Sequence, residues 1–331
     1  MATALENRST LDSRQQASAV IRVEEIRHSY GDRVALKGVS FSVQAGEIFG
    51  LLGPNGSGKT TLFRILSTLM LPTGGHALIA GFDAAKQPDQ VRRHIGVVFQ
   101  AQSTDIKLTA AENLWHQGHL YGLRGAALKA RIREMLERVA LADRANDRVE
   151  TFSGGMQRRV ELAKGLMHNP SVLLLDEPTT GLDPGARRDL WLYLDELRKR
   201  ESVSIIVTTH LMEEAERCDR LAILNLGEVV GLGTPAELRS QIGGDVVILD
   251  TADPDSLAAR IQERFKVAAT VLEGKVRMEI RDGLKFVTSL AEVFPGAIQS
   301  VSISKPTLDD VFISRTGHRF WMQAEKAEEH K

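Results

Sequence analysis

Short apolar runs alternate with helical stretches along most of this chain. Ile48-Phe49-Gly50-Leu51-Leu52 is apolar throughout, and Val172-Leu173-Leu174-Leu175 repeats the pattern. Such runs predict buried strands. Further strands are predicted at Val97–Gln100, Val172–Asp176, Ile205–Thr209 and Leu221–Asn225. Leucine and isoleucine recur at helical spacing over Thr61–Leu69, which predicts a helix. From about Ile21 to Gly243 the alternation predicts an α/β fold with a mixed, largely parallel sheet. Residues 110–140 read as helical throughout. With the opening of the next helix they predict a helical subdomain, about 101–165, inserted into residues 21–243. A second unit, residues 244–320, has strands at Val246–Leu249, Val267–Val271, Lys275–Ile280 and Ile298–Ile303. Helices are predicted at Pro254–Arg264 and Leu284–Phe294, and a short closing one near Thr307–Thr316. That order, βαββαβ, predicts a small ferredoxin-like α+β module. Residues 1–20 read as a flexible polar leader and 321–331 as a charged tail that frays.

Composition narrows the function classes. A length of 331 residues suits one large domain and a smaller one. The formal net charge is −1, so no basic excess points to nucleic acid as a partner. Cys218 is the sole cysteine, which rules out an intrachain disulfide and fits a reducing cytoplasm. It reads as a small, partly buried side chain. No apolar run approaches the roughly 18 to 20 residues that span a bilayer. The first 20 residues lack the apolar block of a signal peptide. A transport role would therefore need separate membrane subunits.

Candidate chemistry follows the first buried run. Gly53-Pro54-Asn55-Gly56-Ser57-Gly58-Lys59-Thr60 fills every fixed position of a phosphate-binding loop, between a predicted strand and a predicted helix that begins near Thr61. Glycines let several N–H groups point into one concavity, and the helix N-terminus adds partial positive charge. Lys59 can reach the outer phosphates, and the Thr60 hydroxyl can hold Mg²⁺. Asp176 and Glu177 end the run Val172–Leu175, at the strand edge where open α/β sheets bind ligands. Asp176 is placed to hold Mg²⁺, and Glu177 to act as general base on a water attacking the γ-phosphate. Ser153-Gly154-Gly155 offers a capped helix start with exposed N–H groups, a second anion site. One ATP needs one phosphate loop, so this second site makes sense if it faces the nucleotide of another subunit.

These motifs, in this order, resemble the nucleotide-binding subunit of an ATP-binding-cassette (ABC) transporter over about residues 21–243. Residues 53–60 are similar to the Walker A motif, 172–177 to Walker B and 152–157 to the signature motif. Phe152 and Met156 stand where the family usually has Leu and Gln. The resemblance implies a P-loop NTPase core of RecA type that binds ATP and Mg²⁺. It implies nucleotide-site roles for Gly53 through Thr61, and for Tyr30 against adenine. Gln100 would sense Mg²⁺ and the membrane partner, Asp183 would lie in a loop crossing the dimer interface, and His210 would contact the γ-phosphate. The partners implied are integral-membrane permease subunits and a second copy, joined head to tail as an ATP sandwich. The place implied is the cytoplasm, peripheral on the inner face of the cell membrane. Lys305-Pro306-Thr307-Leu308-Asp309-Asp310-Val311-Phe312, with Thr316-Gly317, resembles the ending of ATPase subunits from drug-resistance and polysaccharide-export systems, which implies an exporter.

Other classes fit less well. A soluble cassette ATPase acting on DNA would carry a long coiled coil between Asn55 and Asp176, and no heptad stretch of that size exists. Ribosome-acting members resemble tandem cassettes, and only one phosphate loop is present. A nucleotide kinase or GTPase would not need residues 152–157, and no Asn-Lys-x-Asp sequence occurs.

Overall fold

The computed structural model describes residues 19–320. The chain divides into two compact units at Val229–Val230.

The first unit opens with an antiparallel pair, β1 (Ala19–Tyr30) and β2 (Arg33–Gln44), then enters a parallel sheet at β3 (Ile48–Leu52). Helix α1 (Lys59–Leu66) follows. Two strands, β4 (Gly74–Ile79) and β5 (Phe82–Asp83), return to the first pair and give the order β2-β1-β4-β5. Helix α2 (Pro88–His94) leads to β6 (Ile95–Val98). Three helices come next: α3 (Ala110–Leu120), α4 (Gly125–Arg138) and α5 (Gly154–Leu166). The chain then runs through β7 (Val172–Asp176), α6 (Pro184–Glu201), β8 (Ser204–Thr209), α7 (Met212–Ala215) and β9 (Arg220–Asn225). The division between the units falls inside β10 (Glu228–Gly233).

Strands β9-β3-β8-β7-β6 are consecutive neighbours and pair in parallel. Their apolar runs arise because both faces are covered. Leu173, Leu175, Ile205 and Val207 pack with α3 to α6 on one side. Phe49, Leu51, Leu174 and Ile206 pack with α1 and the antiparallel sheet on the other. No solvated face exists to call for alternating polar residues.

Several boundaries differ from the sequence reading, each for a local reason. β1 begins at Ala19, opposite Gln44, so the last two positions read as polar leader already lie in the sheet. The rest of the leader and the charged tail fall outside the described residues. Helix α1 stops at Leu66, because Thr68 turns to a φ of 63°. The helical stretch 110–140 breaks after Leu120, where Gly122 takes a φ of 81°. α3 and α4 then pack so closely that a Cβ at Gly118 would lie 2.3 Å from Leu128. Gln100 lies two residues past the end of β6 rather than in it. Cys218 is fully buried, not partly, and burial raises its thiol pKa. Among the described residues no helix is long and apolar enough to cross a membrane.

The second unit begins with α8 (Pro235–Ser240) and continues through β11 (Asp245–Asp250), α9 (Pro254–Phe265), β12 (Ala269–Leu272) and β13 (Lys275–Ile280). It ends with α10 (Gly283–Val293), β14 (Ser300–Ser304) and α11 (Leu308–Thr316). The strands form one antiparallel sheet in the order β12-β13-β11-β14. Val247, Leu249, Ile261, Met278 and Leu290 fill its core. α11 packs on α8. A capping box between Thr307 and Asp310 starts α11, and Gly317 ends it in the left-handed conformation.

Asp310 also accepts a 3.1 Å hydrogen bond from the buried guanidinium of Arg277 on β13. Removing Asp310 leaves the buried Arg277 charge with a single carboxylate, that of Glu279, to whose Oε1 it donates at 2.9 Å. Asp310→Ala is therefore expected to destabilise the unit by about 3 kcal/mol. Chemical denaturation checks this; a loss under about 1 kcal/mol would mean that the pair does not hold α11 on the sheet.

Candidate functional site

The strand order assembles the site. Four neighbouring strands, β3, β8, β7 and β6, run in parallel, so their C-terminal ends lie side by side. β3 delivers residues 53–60 and β8 delivers His210. β7 delivers Asp176 and Glu177, and β6 leads to Gln100. The register pairs Leu52 with Thr209, Asp176 with Thr208, and Val98 with Leu175. Residues separated by up to 157 positions thus reach one edge, where open parallel sheets bind ligands.

The glycines of 53–58 are demanded by space. A Cβ at Gly53 would lie 2.4 Å from Ser57 Oγ and 2.6 Å from the Leu224 carbonyl oxygen. Gly58 has a φ of 107°, and a Cβ there would lie 2.8 Å from Leu36. The loop folds over Lys59, which is 4% exposed. Lys59 Nζ donates to the carbonyls of Gly53 (2.6 Å) and Pro54 (3.1 Å). It lies 3.8 Å from Glu177 Oε1. Burial lowers the Lys59 pKa, and the charges of Glu177 and Asp176 offset part of that. The buried Ser57 Oγ has no hydrogen-bond partner among the described residues. A loop with an orphaned hydroxyl, a buried ammonium and glycines that leave no room for side chains fits a phosphate group.

Glu177 sits at the centre. His210 Nδ1 is 3.2 Å from Glu177 Oε2, Thr180 donates to the same oxygen at 3.3 Å, and Gln100 Nε2 lies 3.4 Å from it. Burial raises the Glu177 pKa, but His210, Lys59 and Thr180 outweigh it and hold the carboxyl below its usual range. Its φ of 43° is left-handed, an unusual backbone for a non-glycine residue. The Glu177 N–H donates to Thr208 Oγ1 at 2.9 Å, and Thr208 donates to Asp176 Oδ1 at 2.5 Å. Burial is the main cause that raises the Asp176 pKa. Two adjacent carboxylates thus face different surroundings.

Lys59, Glu177, His210, Thr180 and Gln100 line a cleft of about 540 Å³ together with Asn55, Gly56, Gly58, Thr60 and Thr61, whereas Gly53, Pro54, Ser57 and Asp176 are not part of its lining. Tyr30 stands at its mouth, half exposed, with its hydroxyl 3.4 Å from Thr61 Oγ1. Val34 and Thr180 also line the cleft and were not singled out in the sequence. Nothing marks Val34 before folding, since it lies in the β1–β2 hairpin among ordinary strand residues. Thr208 was legible in principle, because Thr208-Thr209 interrupts an otherwise apolar run.

Ser153, Gly154, Gly155 and Asp183 do not line this cleft. Ser153 Oγ accepts from the Met156 N–H at 3.3 Å and caps α5; Asp183 Oδ1 accepts from the Ala186 N–H at 2.9 Å and caps α6. The two caps are neighbours: a Cβ at Gly155 would lie 2.8 Å from Ala186 Cβ. Ser153 and Gly154 are exposed.

Oxygen donors at the cleft suit a hard cation. Thr60 in the cleft lining and the buried Asp176 at the end of β7 are the donors, and no group of three His, Cys, Asp or Glu capable of holding a metal exists among the described residues. Mg²⁺ is commonly held by one or two carboxylates plus phosphate and water, so this sparse set fits it.

Known proteins share these features. The ABC transporter family matches residues 36–180, and the family described as ATP-binding protein DrrA1-3-like, C-terminal domain, matches residues 233–316. The linearmycin resistance ATP-binding protein LnrL of Bacillus subtilis is 38% identical over 90% of this chain and 98% of its own length. The daunorubicin resistance ATP-binding protein DrrA2 of Streptomyces coeruleorubidus is 37% identical over 90% of this chain and 95% of its own. Among solved structures, cbiO1 of Clostridium perfringens, part of an ABC transporter complex, superposes with a TM-score of 0.63 at 26% identity, over 75% of this chain and 96% of that one. A dimeric ATP-binding cassette with ADP and Pi bound gives a TM-score of 0.58 at 31% identity, over 65% of this chain and 98% of that one. Fold, site and near full-length similarity agree: this chain belongs to the ABC transporter family, as an ATP-binding subunit of its drug-resistance and export branch.

Proposed function

We propose that this subunit hydrolyses MgATP in the cleft between Tyr30 and Glu177 and so powers drug export through a separate permease. The observation that carries this reading is the convergence of Lys59, Glu177, His210 and Gln100 at one sheet edge. ATP would lie with adenine on Tyr30 and its phosphates on the N–H groups of Gly53–Thr61. Lys59 then trades its loop carbonyls for β- and γ-phosphate oxygens. Thr60 and Asp176, with Gln100, would hold Mg²⁺, which supplies charge neutralisation at the phosphates. Glu177, kept ionised by its neighbours, accepts a proton from the attacking water, and His210 orients it and meets the γ-phosphate.

We further infer a head-to-tail dimer. Ser153 and Gly154 lie exposed and Gly155 half-buried, outside their own cleft, and Asp183 caps the adjoining helix. A two-fold axis would let each signature loop cover the partner's ATP, giving two equivalent sites from one isologous interface. The permease would dock on the groove beside Gln100. That groove, about 830 Å³, is lined by Phe99, Ser103, Asp105, Leu108 and Tyr121, and Leu120 at its rim is 81% exposed. Such a subunit works in the cytoplasm, peripheral on the inner face of the membrane. Domain bounds of 21–243, with the helical part about 101–165, and 244–320 put the change at the glycine pair before β11, later than the division at Val229–Val230. The βαββαβ order with strands β12-β13-β11-β14 supports a ferredoxin-like accessory domain.

Glu177→Gln is expected to bind MgATP normally and hydrolyse it about 10² to 10⁴ times more slowly. Near wild-type turnover of the purified variant would remove Glu177 as the base. Lys59→Ala should weaken ATP binding by about 2 kcal/mol, the loss of a charge-assisted contact; titration with a fluorescent ATP analogue measures it. In a Glu177→Gln background, MgATP and not MgADP should shift the protein toward dimer in light scattering, and Ser153→Arg should abolish the shift. Cysteines placed through Ala101–Leu108 should crosslink to the membrane subunit; no crosslink in an active transporter would move the docking face elsewhere.

A further inference from the structure

Arg158 lies one turn inside α5, five residues after the exposed cap Ser153, and is 7% exposed. Its guanidinium does not face a phosphate. Nε donates to the Pro178 carbonyl at 2.9 Å, and Nη2 to the Asp176 carbonyl at 3.3 Å. Nη1 donates to the Phe99 carbonyl at 2.7 Å and to Glu161 Oε2 at 2.6 Å. Two of these carbonyls bracket Glu177, and the third immediately precedes Gln100. The next two turns of α5 continue the same face. Glu161 Oε1 accepts from the Ser103 N–H at 2.6 Å, and Lys164 Nζ donates to the Ser103 carbonyl at 2.6 Å.

We propose that Arg158 is a positioning residue that locks the segments carrying Gln100 and Glu177 to the signature helix. The proposal rests on the reading of Glu177 as base and of Ser153–Gly155 as facing a partner's ATP. The guanidinium is a planar fork with five donors, and it fixes carbonyls leaving two different strands at one time. The Phe99 and Pro178 carbonyls lie beyond the strands, that of Asp176 ends β7, and buried carbonyls there need donors. Glu177 is left-handed, a conformation that persists only where its surroundings over-determine it; bonds on both sides of it do so. The 3.4 Å approach of Gln100 to Glu177 follows from one group gripping both segments. α5 begins at the signature cap, so any shift of that helix when its N-terminus meets a phosphate moves Arg158 and, through it, Glu177 and Gln100. Closure at one nucleotide would thereby set the base at the other.

The test uses the purified subunit, alone and assembled with its membrane partner. Arg158→Lys keeps the charge but cannot reach three carbonyls. Arg158→Gln combined with Glu161→Gln removes the ion pair without leaving a buried charge stranded. In both, kcat should fall about 10²-fold, the cost of a misplaced catalytic group. MgATP affinity should stay unchanged, because residues 53–60 are untouched. Arg158→Lys and Gln100→Ala should be non-additive in kcat, since both act through one arrangement. Wild-type kcat in the double variant would overturn the proposal. So would parallel losses of kcat, ATP affinity and thermal stability, or strict additivity with Gln100→Ala. Full turnover by Glu177→Gln would instead remove the base assignment, and the coupling to Gln100 alone would then decide for or against Arg158.

Discussion

Burial of both faces of the parallel sheet is the constraint on which the rest depends. Strands β3, β8, β7 and β6 pack against helices on one side and against α1 and a second sheet on the other. Along such strands a charged group would have to be desolvated, so side chains stay apolar until the strand ends. The polar groups therefore collect at the strand ends. Because the strands are parallel and adjacent, the four C-terminal ends share one edge. The chemistry of the cleft is the sum of what lies one or two residues beyond β6, β7 and β8 and of the loop that carries Lys59 after β3. Lys59, His210, Glu177 and Gln100 meet for that reason.

The site is built in advance of its ligand. Lys59 is buried without a fully engaged counter-ion, since Glu177 is 3.8 Å away and its closest contacts are loop carbonyls. An ammonium desolvated in this way gains more from a phosphate oxygen than it would in water. Glu177 is held ionised by His210, Lys59 and Thr180, while burial favours the protonated form of Asp176. Adjacent carboxylates in unlike surroundings can take different tasks. Thr208 separates them by donating to Asp176 and accepting from the Glu177 N–H. A second brace lies behind it. The buried carboxylate of Glu214 accepts from Thr209, next to His210, at 2.6 Å, and from Thr179, two residues past Glu177.

What the sequence made legible follows from the same constraint. The apolar run of β7 stops at Asp176-Glu177 and that of β3 at the glycine loop, so those strands and their ends could be read directly, whereas the role of His210 after β8 was implied only by the family resemblance. The glycine loop was legible because its backbone geometry excludes other residues. The break at Tyr121–Arg124 was not, because the residues around it favour helix and only the glycines decide. Gln100 was placed at a strand end, yet β6 stops at Val98. The next carbonyl, that of Phe99, is taken by Arg158 rather than by the ladder, a partner 59 positions away. Arg158 and Thr180 were missed for this general reason. Their roles are set by backbone carbonyls and carboxylates from other segments, which periodicity cannot report.

Helix α5 unites these observations. Its N-terminus is the exposed Ser153 cap, and its flank carries Arg158, Glu161 and Lys164 against the segments beyond β6 and β7. Its far end is gripped as well: Arg131 of α4 donates to the carbonyls of Leu166 and Met167. Free carbonyls at a helix C-terminus need donors, and a guanidinium there also suits the helix dipole. α5 is thus fastened at its far end and along its flank, with its signature cap Ser153 exposed. A rod held in that way cannot bend locally when its tip is loaded; it must move with what it is fastened to. A phosphate at Ser153 would therefore be felt at Glu177, at Gln100 and in the helical subdomain that carries Arg131, through one continuous set of hydrogen bonds.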